Sequence, residues 1–326
     1  MNIAVFEVSP DERQELDVLS CTLPVTMRLV EGNLSMETLS LAQGAEGVST
    51  LGRSRLDRPM LEALKDLGVR YVSTRTIGVD HIDLAAAREF GIRVSHAAYP
   101  PAAVADFTVM LMLLVLRHYK PAMWRQNVND YSLKGLMGRS LHSLTVGVVG
   151  TGSIGAAVIR NLSGFGCRIL AYNLTEREDL RPYASFVDLD TLYRESDVIT
   201  FHVPATPETR RMVNKDSLAR MKDGVVLVNT ARGELMDIDA ITEGIETEKI
   251  GSLAMDVFEH EQGIYHADRK TDILKNKDMV YLRQFPNVVL TQHMAFYTEE
   301  SIVSMVDCGI HSLLDMKEGR KTHLEL

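Results

Sequence analysis

Cysteine is scarce in this chain. Cys21, Cys167 and Cys308 are odd in number, far apart and never paired as CxxC. That excludes a disulfide framework and a cysteine-built zinc site, and it fits reduced thiols in the cytosol. No HExxH spacing occurs either, so no metal is expected. Long apolar runs are also missing. The longest, Val109 to Leu116, is too short for a bilayer and reads as a buried helix, so no membrane partner is expected. The opening stretch, MNIAVFEVSPDERQ, lacks the basic and apolar regions of a secretory leader, and a cytoplasmic location is expected. Positive charge is in deficit: 35 Lys and Arg face 44 Asp and Glu, a net charge of −9. A nucleic-acid partner is therefore excluded, because phosphate backbones need a basic field. A small anionic substrate is not, since one buried arginine can override a diffuse negative field locally. Low-complexity tracts and short-period repeats are absent.

What the chain does have is length for two cores, with 326 residues, 45% hydrophobic and 24% charged. Its first hundred residues alternate strand-like and helix-like segments. Asn2–Glu7, Thr26–Val30, Val69–Thr74 and Ile92–Ser95 read as strands, and Arg58–Leu67 and Asp83–Phe90 as helices between them. This βαβ rhythm predicts a parallel sheet with both faces covered. Tyr99-Pro100-Pro101 breaks the chain, and Ala102–Tyr119 reads as one long apolar helix leading to a second unit. That unit opens at Thr145–Gly150 and continues with strands at Arg168–Tyr172, Val198–His202, Val225–Asn229, Gly251–Met255 and Val288–Thr291. Helices are expected at Ile154–Leu162, Leu189–Arg194, Lys215–Met221 and Ile238–Glu246, and an amphipathic one at Glu299–Lys317. Six strands with crossovers make a full doubly wound dinucleotide domain, so the fold class is α/β.

The segment Gly150-Thr151-Gly152-Ser153-Ile154-Gly155 follows an apolar strand and precedes a helix. Gly150 permits the tight turn, Gly152 lets the backbone approach a pyrophosphate, and Gly155 lets helix and strand pack closely. Amides near Ser153 and Ile154 would meet the phosphate. After the next strand an NAD site normally carries Asp or Glu for the ribose hydroxyls; here the residue is Asn173. Asparagine still bonds a hydroxyl but does not repel a 2′-phosphate, and Arg177 is a candidate partner for one. Glu176, Glu178 and Asp179 make the same loop a poor phosphate pocket, so NAD is expected ahead of NADP.

Three residues behind later apolar runs suit hydride transfer to a 2-keto acid. Arg232, in VNTARGELMD, offers a planar, permanently charged fork to carboxylate and carbonyl oxygens. His293, in LTQHMAFYT, has a pKa near working pH and suits proton donation. Glu261, in AMDVFEHE, would orient the imidazole through its other nitrogen. Taken singly, each also reads as an ordinary loop charge or strand-end polar group. The remaining candidates, His81, His96, His118 and His202, lack such partners and read as structural.

Through these residues and their flanking motifs, the chain resembles the D-isomer-specific 2-hydroxyacid dehydrogenase family from end to end. The matching stretches are STRTIGVDHID (73–83), AAYPPAAVADFT (97–108), TVGVVGTGSIG (145–155), ITFHVPATPET (199–209), VNTARGELMD (228–237), AMDVFEHE (ending at Glu261) and LTQHMAFYTEES (290–301). The HxAFYT form and the five-residue step from Asp256 to Glu261 are most similar to the D-lactate dehydrogenase branch. The TRxIG and AYxPxxVAD phrasing is similar to the D-lactate-forming dehydrogenases of vancomycin resistance.

The resemblance implies two Rossmann-like doubly wound domains. Residues 1–100 plus 297–326 would form a discontinuous flavodoxin-like substrate domain, and 101–296 an inserted NAD-binding domain. It implies Arg232, Glu261 and His293 as substrate anchor, histidine partner and proton donor, the substrate carboxylate on the amides of Ile77 and Gly78, and Tyr99 and Phe296 lining the pocket. For the cofactor it implies Ser153, Ile154, Asn173, Val203, Pro204, Thr209, Thr230, Ala231 and Asp256, with Asp256 orienting the nicotinamide amide. It implies a homodimer through the helix at 102–116. The activity implied is a D-lactate dehydrogenase, with (R)-2-hydroxyisocaproate or phenyllactate dehydrogenase as the alternative label. A nucleotide-sensing corepressor built on the same fold is the alternative of another class. Phosphoglycerate dehydrogenase is disfavoured, for want of a regulatory domain after Leu326 and of a phosphate-binding cluster.

Overall fold

Two all-parallel sheets organise the chain, which a computed structural model describes over residues 1–326. The first holds β1 (Asn2–Val5), β2 (Thr26–Leu29), β3 (Gly47–Thr50), β4 (Tyr71–Thr74) and β5 (Arg93–Ser95), in the order β2-β1-β3-β4-β5. The second holds β6 (Thr145–Val149), β7 (Arg168–Tyr172), β8 (Ser185–Phe186), β9 (Val198–Phe201), β10 (Val225–Asn229), β11 (Ile250–Met255) and β12 (Val288–Leu290), in the order β12-β11-β10-β9-β6-β7-β8. The first order is the flavodoxin-like one, and the second extends the dinucleotide-binding order by one strand. The chain divides into two compact units: Met1–Pro100 with Tyr297–Leu326, and Pro101–Phe296.

The helices are α1 (Arg13–Thr22), α2 (Arg58–Asp66), α3 (Leu84–Glu89), α4 (Ala102–Leu116), α5 (Tyr119–Gln126), α6 (Ser153–Ser163), α7 (Leu189–Glu195), α8 (Lys215–Arg220), α9 (Ile238–Glu246), α10 (Lys277–Leu282) and α11 (Glu299–Lys317). In the second unit the strands send alternate residues to opposite faces. Val225 and Leu227 of β10 join one core with Ile199, Leu253 and Met255; Val226 and Val228 join the other with Val146, Val148, Val198 and Ala254. Both faces are buried, which is why these strands read as unbroken apolar runs.

The first unit is less uniform. Ala4, Val48, Val72 and Val94 face an apolar core, while Ile3 and Val5 pack with Leu16, Leu19, Val306, Ile310 and Leu313 of α1 and α11. On the α11 side the middle of the sheet is polar. Ser73 Oγ donates to Ser49 Oγ at 2.9 Å, and the fully buried Arg75 reaches Glu12 Oε1 at 2.6 Å, Ser49 Oγ at 3.0 Å and the Phe6 carbonyl at 2.9 Å. Gly309 of α11 lies over this pair, where a Cβ would approach Arg75 Cγ to 3.0 Å.

Several boundaries differ from the sequence reading. Residues 102–119 are not one helix. After Leu116 the chain turns at His118, φ 48°, and α5 leaves at 66°. No single helix is long and apolar enough to cross a membrane. Strands β3 and β8 and helices α1, α5 and α10 are additional to those read from the sequence.

Candidate active site

In the second unit most candidate residues follow the carboxyl end of a strand. Gly150 follows β6, Asn173 follows β7, Val203 and Pro204 lie just past β9, Thr230 to Arg232 follow β10, Asp256 follows β11, and His293 lies just past β12. Because the strands are parallel, these termini share one edge, where open α/β sheets bind ligands. The strand order reverses between β6 and β9, directly at Gly150.

The glycine turn fits a dinucleotide on three counts. Gly150 has φ 92°, and a Cβ there would lie 2.6 Å from the His202 carbonyl oxygen. A Cβ at Gly155 would lie 2.0 Å from the Gly150 carbonyl oxygen, so α6 packs against the turn only with glycine there. At Gly152 a Cβ would meet nothing within 4 Å, so the backbone there faces open space. Helices α7 to α10 are capped by the side chains of Asp188, Asn214, Asp237 and Asn276. Helix α6 is capped by Gly152 with no side-chain bond, leaving the first amides, at Ser153 and Ile154, for a phosphate. Thr209 closes the turn after β9, donating from Oγ1 to the Pro204 carbonyl at 2.6 Å.

Asn173 is engaged at both ends. Its Oδ1 accepts from the Thr151 amide at 3.2 Å and its Nδ2 donates to the Thr175 carbonyl at 2.7 Å. Arg177 forms a two-pronged pair with Asp179, Nε to Oδ1 at 3.0 Å and Nη2 to Oδ2 at 2.8 Å. A second arginine, Arg160, reaches the same carboxylate at 2.7 Å.

The two candidates Glu261 and His293 are in contact. Glu261 Oε1 stands 2.5 Å from His293 Nδ1, and Oε2 accepts from the Phe258 amide at 2.6 Å. Burial pulls the imidazole pKa down, but the hydrogen bond and charge of Glu261, helped by Asp256, outweigh it. The net pKa lies above the ordinary 6.5. Arg232 opposes this rise slightly, so the cation acts on the same imidazole. Neighbouring Glu259 is spent elsewhere, on Arg210 at 2.6 Å. Glu261 does not sit at a strand end as its sequence context suggests; it lies on a loop past β11, and Asp256 holds the strand-end position.

Two residues outside the sequence reading of the acid–base site assemble it. Asp256, fully buried, accepts from Thr291 Oγ1 at 2.5 Å and from the Met294 and Ala295 amides at 2.9 and 2.8 Å, while its carbonyl accepts from the His293 amide at 2.7 Å. His293 itself has φ 52°, a left-handed backbone that this web of bonds maintains. Gly233 is the other: a Cβ there would lie 2.2 Å from the Glu259 nitrogen and 2.3 Å from the Phe258 carbonyl carbon. The loops carrying Arg232 and Glu261 therefore touch backbone to backbone. The RG dipeptide was the available signal. Asn229 fixes the arginine loop, with Nδ2 donating to the Arg232 carbonyl at 2.8 Å and Oδ1 accepting from the Ala231 amide at 3.0 Å. Thr230 is tied to Thr108 by a hydroxyl pair at 2.8 Å. Phe296 meets the ring of His266 edge-on at 6.3 Å, and His266 Nε2 donates to the His293 carbonyl at 3.0 Å.

Ile77, Gly78 and Tyr99 belong to the first unit. Ile77 and Gly78 lie on the loop after β4, where Thr76 Oγ1 donates to the Gly78 carbonyl at 2.7 Å, and Tyr99 lies between β5 and α4.

Known proteins resemble this chain over most of its length. Residues 109–295 match the family model described as D-isomer specific 2-hydroxyacid dehydrogenase, NAD binding domain. The chain is 40% identical to an aromatic 2-oxoacid reductase of Clostridium sporogenes over 319 residues, covering 97% of this chain and 96% of the relative. It is 35% identical to the D-lactate dehydrogenase of Escherichia coli, covering 100% of both. Among solved structures, the NAD-complexed D-isomer specific 2-hydroxyacid dehydrogenase of Lactobacillus delbrueckii ssp. bulgaricus superposes with a TM-score of 0.87 at 27% identity, covering 100% of both chains.

Proposed function

Because this chain belongs to the D-isomer specific 2-hydroxyacid dehydrogenase family, we propose that it reduces bulky 2-oxo acids, aromatic ones included, to the (R)-2-hydroxy acids with NADH. The class of reaction is that of the family: an oxidoreductase on the CH–OH group of a D-2-hydroxy acid, with an NAD-binding domain. The observation that carries the mechanism is the 2.5 Å contact between Glu261 and His293 beside the arginine loop. Reduced nicotinamide, when bound, supplies the hydride. His293, whose protonated form Glu261 favours, gives its Nε2 proton to the developing alkoxide, and in oxidation the neutral ring takes it back. Glu261 holds the tautomer, its second oxygen fixed by the Phe258 amide. Arg232 clamps the carboxylate and polarises the carbonyl, where charge develops.

Ile77 and Gly78 amides receive the substrate carboxylate in this reading, and Tyr99 and Phe296 border its side chain. Asp256 has accepted three donors; a carboxylate offers about four acceptor sites, which leaves one for the nicotinamide amide. NADH is favoured over NADPH because Arg177, the available partner for a 2′-phosphate, is already pinned to Asp179.

Substrate size rests on the 40% relative and on Thr50-Leu51-Gly52, which carries no aromatic cap. The second reading, pyruvate, is favoured by the likeness to the Escherichia coli D-lactate dehydrogenase. Rates with pyruvate, 2-ketoisocaproate and phenylpyruvate, each with NADH and NADPH, decide between them. A higher kcat/KM for pyruvate than for phenylpyruvate overturns the bulky-substrate proposal, and tight NADH binding without turnover overturns the catalytic one. The homodimer remains part of this proposal, through α4, where Met110, Leu113 and Leu114 beside Phe165 line an apolar hollow of about 530 Å³; a monomer by sedimentation refutes it.

A further inference from the structure

In the first unit the strand order reverses between β1 and β3, the point at which an open parallel sheet offers its crevice. The second unit places a bare glycine turn at its reversal. The first places a glutamate. Glu7 lies two residues past β1, is fully buried, and has φ 62°, a left-handed backbone that a β-carbon disfavours. Its Oε2 accepts from the amides of Leu51 at 2.5 Å and Arg53 at 3.2 Å, and its Oε1 accepts from Ser54 Oγ at 2.5 Å. The Glu7 amide donates to the Gly32 carbonyl at 3.0 Å, and Arg53 Nη2 donates to the Glu7 carbonyl at 3.3 Å. One residue thus fastens the loops that follow β1, β2 and β3. Converging main-chain amides with a hydroxyl are the donor set that cradles a bound oxyanion. Here the oxyanion is the protein's own side chain.

The loop so held is packed against the turn after β4. A Cβ on Gly52, φ 96°, would lie 3.0 Å from Thr76 Cγ2 and 3.6 Å from His81 Cε1. Thr76 Oγ1 bonds the Gly78 carbonyl and also Thr74 Oγ1 at 2.7 Å, and Thr74 Oγ1 meets His81 Nε2 at 3.2 Å. The chain of contacts from Glu7 therefore ends at Gly78.

We propose that Glu7 is a positioning residue: an internal carboxylate that fills the first unit's own oxyanion niche and holds Leu51 and Gly52 in register with the Thr76–Gly78 turn, so that both are preformed for the keto acid. This rests on the keto-acid reading of the site. Removing the carboxylate leaves the niche empty and releases the Leu51 and Arg53 amides and the Ser54 hydroxyl from it, while the residues assigned to NAD all belong to the other unit.

The test uses the full-length Glu7→Ala and Ser54→Ala proteins, with kcat and KM for pyruvate and phenylpyruvate and the NADH dissociation constant measured by fluorescence. Each assay is run with sodium formate and with sodium chloride at equal ionic strength. Glu7→Ala is expected to raise KM by about tenfold or more while kcat and NADH affinity stay within about twofold. Formate, refilling the niche, is expected to lower that KM and to leave the wild-type KM no lower. Ser54→Ala, which keeps the carboxylate, is expected to raise KM in the same direction by less, and it carries the test if Glu7→Ala does not fold. An unchanged KM in both variants overturns the proposal. So does a KM rise accompanied by an equal loss of NADH affinity, or a raised KM that formate does not lower. A wild-type chain that binds NADH yet reduces neither acid fails the underlying reading, and is distinguished by the wild-type assay alone.

Discussion

A β-carbon on Gly233 would stand 2.2 Å from the backbone nitrogen of Glu259, so the arginine loop and the glutamate loop are fitted to each other through a position with no room for one methyl group. Both contacts at Gly233 are to backbone, which cannot swing aside. Gly233→Ala is therefore expected to cost about 1–3 kcal/mol of stability and to separate Arg232 from the acid–base pair. Thermal unfolding and kcat/KM should fall together, and a variant of wild-type melting temperature and full activity would refute the close fit.

The Glu261 carboxylate is what lifts the His293 pKa against burial. Reduction needs the protonated ring, so kcat/KM for the keto acid should be level at low pH and decline as pH rises through a pKa above 6.5. Glu261→Gln removes the charge while burial remains, so the decline should move to lower pH, with a rate loss of roughly ten- to a hundredfold. Oxidation of the hydroxy acid, which needs the neutral ring, should extend to lower pH in the same variant. A pH profile that does not move would remove Glu261 from this role.

In the proposed site Arg232 would act through the geometry of its fork. Arg232→Lys keeps the charge and loses the bidentate contact, so KM for the keto acid should rise about tenfold or more. NADH affinity, measured separately, should hold. An unaltered KM would show that the substrate carboxylate is bound elsewhere.

Asn173 receives the Thr151 amide and holds the Thr175 carbonyl. Asn173→Asp keeps the acceptor and adds a charge beside the ribose position. NADPH turnover should fall by about tenfold or more through repulsion of the 2′-phosphate, while NADH turnover changes less. Equal loss with both cofactors would mean that the residue only shapes the turn.

Legibility in the sequence followed the burial of the strands. Strands β6, β9 and β10, covered on both faces, show as apolar runs and were readable to within a residue or so. Strand β3 was not, because one of its faces carries Ser49 against Arg75 and Glu12, a polar interlayer that mimics a loop. The break after α4 was hidden for a different reason. The apolar pattern carries no sign of a left-handed residue at His118, a position where no glycine marks the turn. At the site, the strand-end placement of Arg232 and His293 was visible, whereas composition left Glu259 and Glu261 open and only the family motif selected Glu261. The physical difference between them is Arg210 claiming Glu259, a contact across 49 residues that no local pattern records. Asp256 as the staple of the histidine turn was equally invisible, since its three donors lie 35 to 39 residues away.

The first unit is built from two stretches of chain, and its face under α11 contains Ile3, Val5, Leu16 and Leu19 from one, Val306, Ile310 and Leu313 from the other. During synthesis the first hundred residues emerge long before the helix that covers them. They must wait, with that greasy face and the Arg75–Glu12 pair unroofed, while almost two hundred further residues are translated and the second unit, contiguous in sequence, can already close. Birth order thus makes the unit whose synthesis begins first the last to be finished.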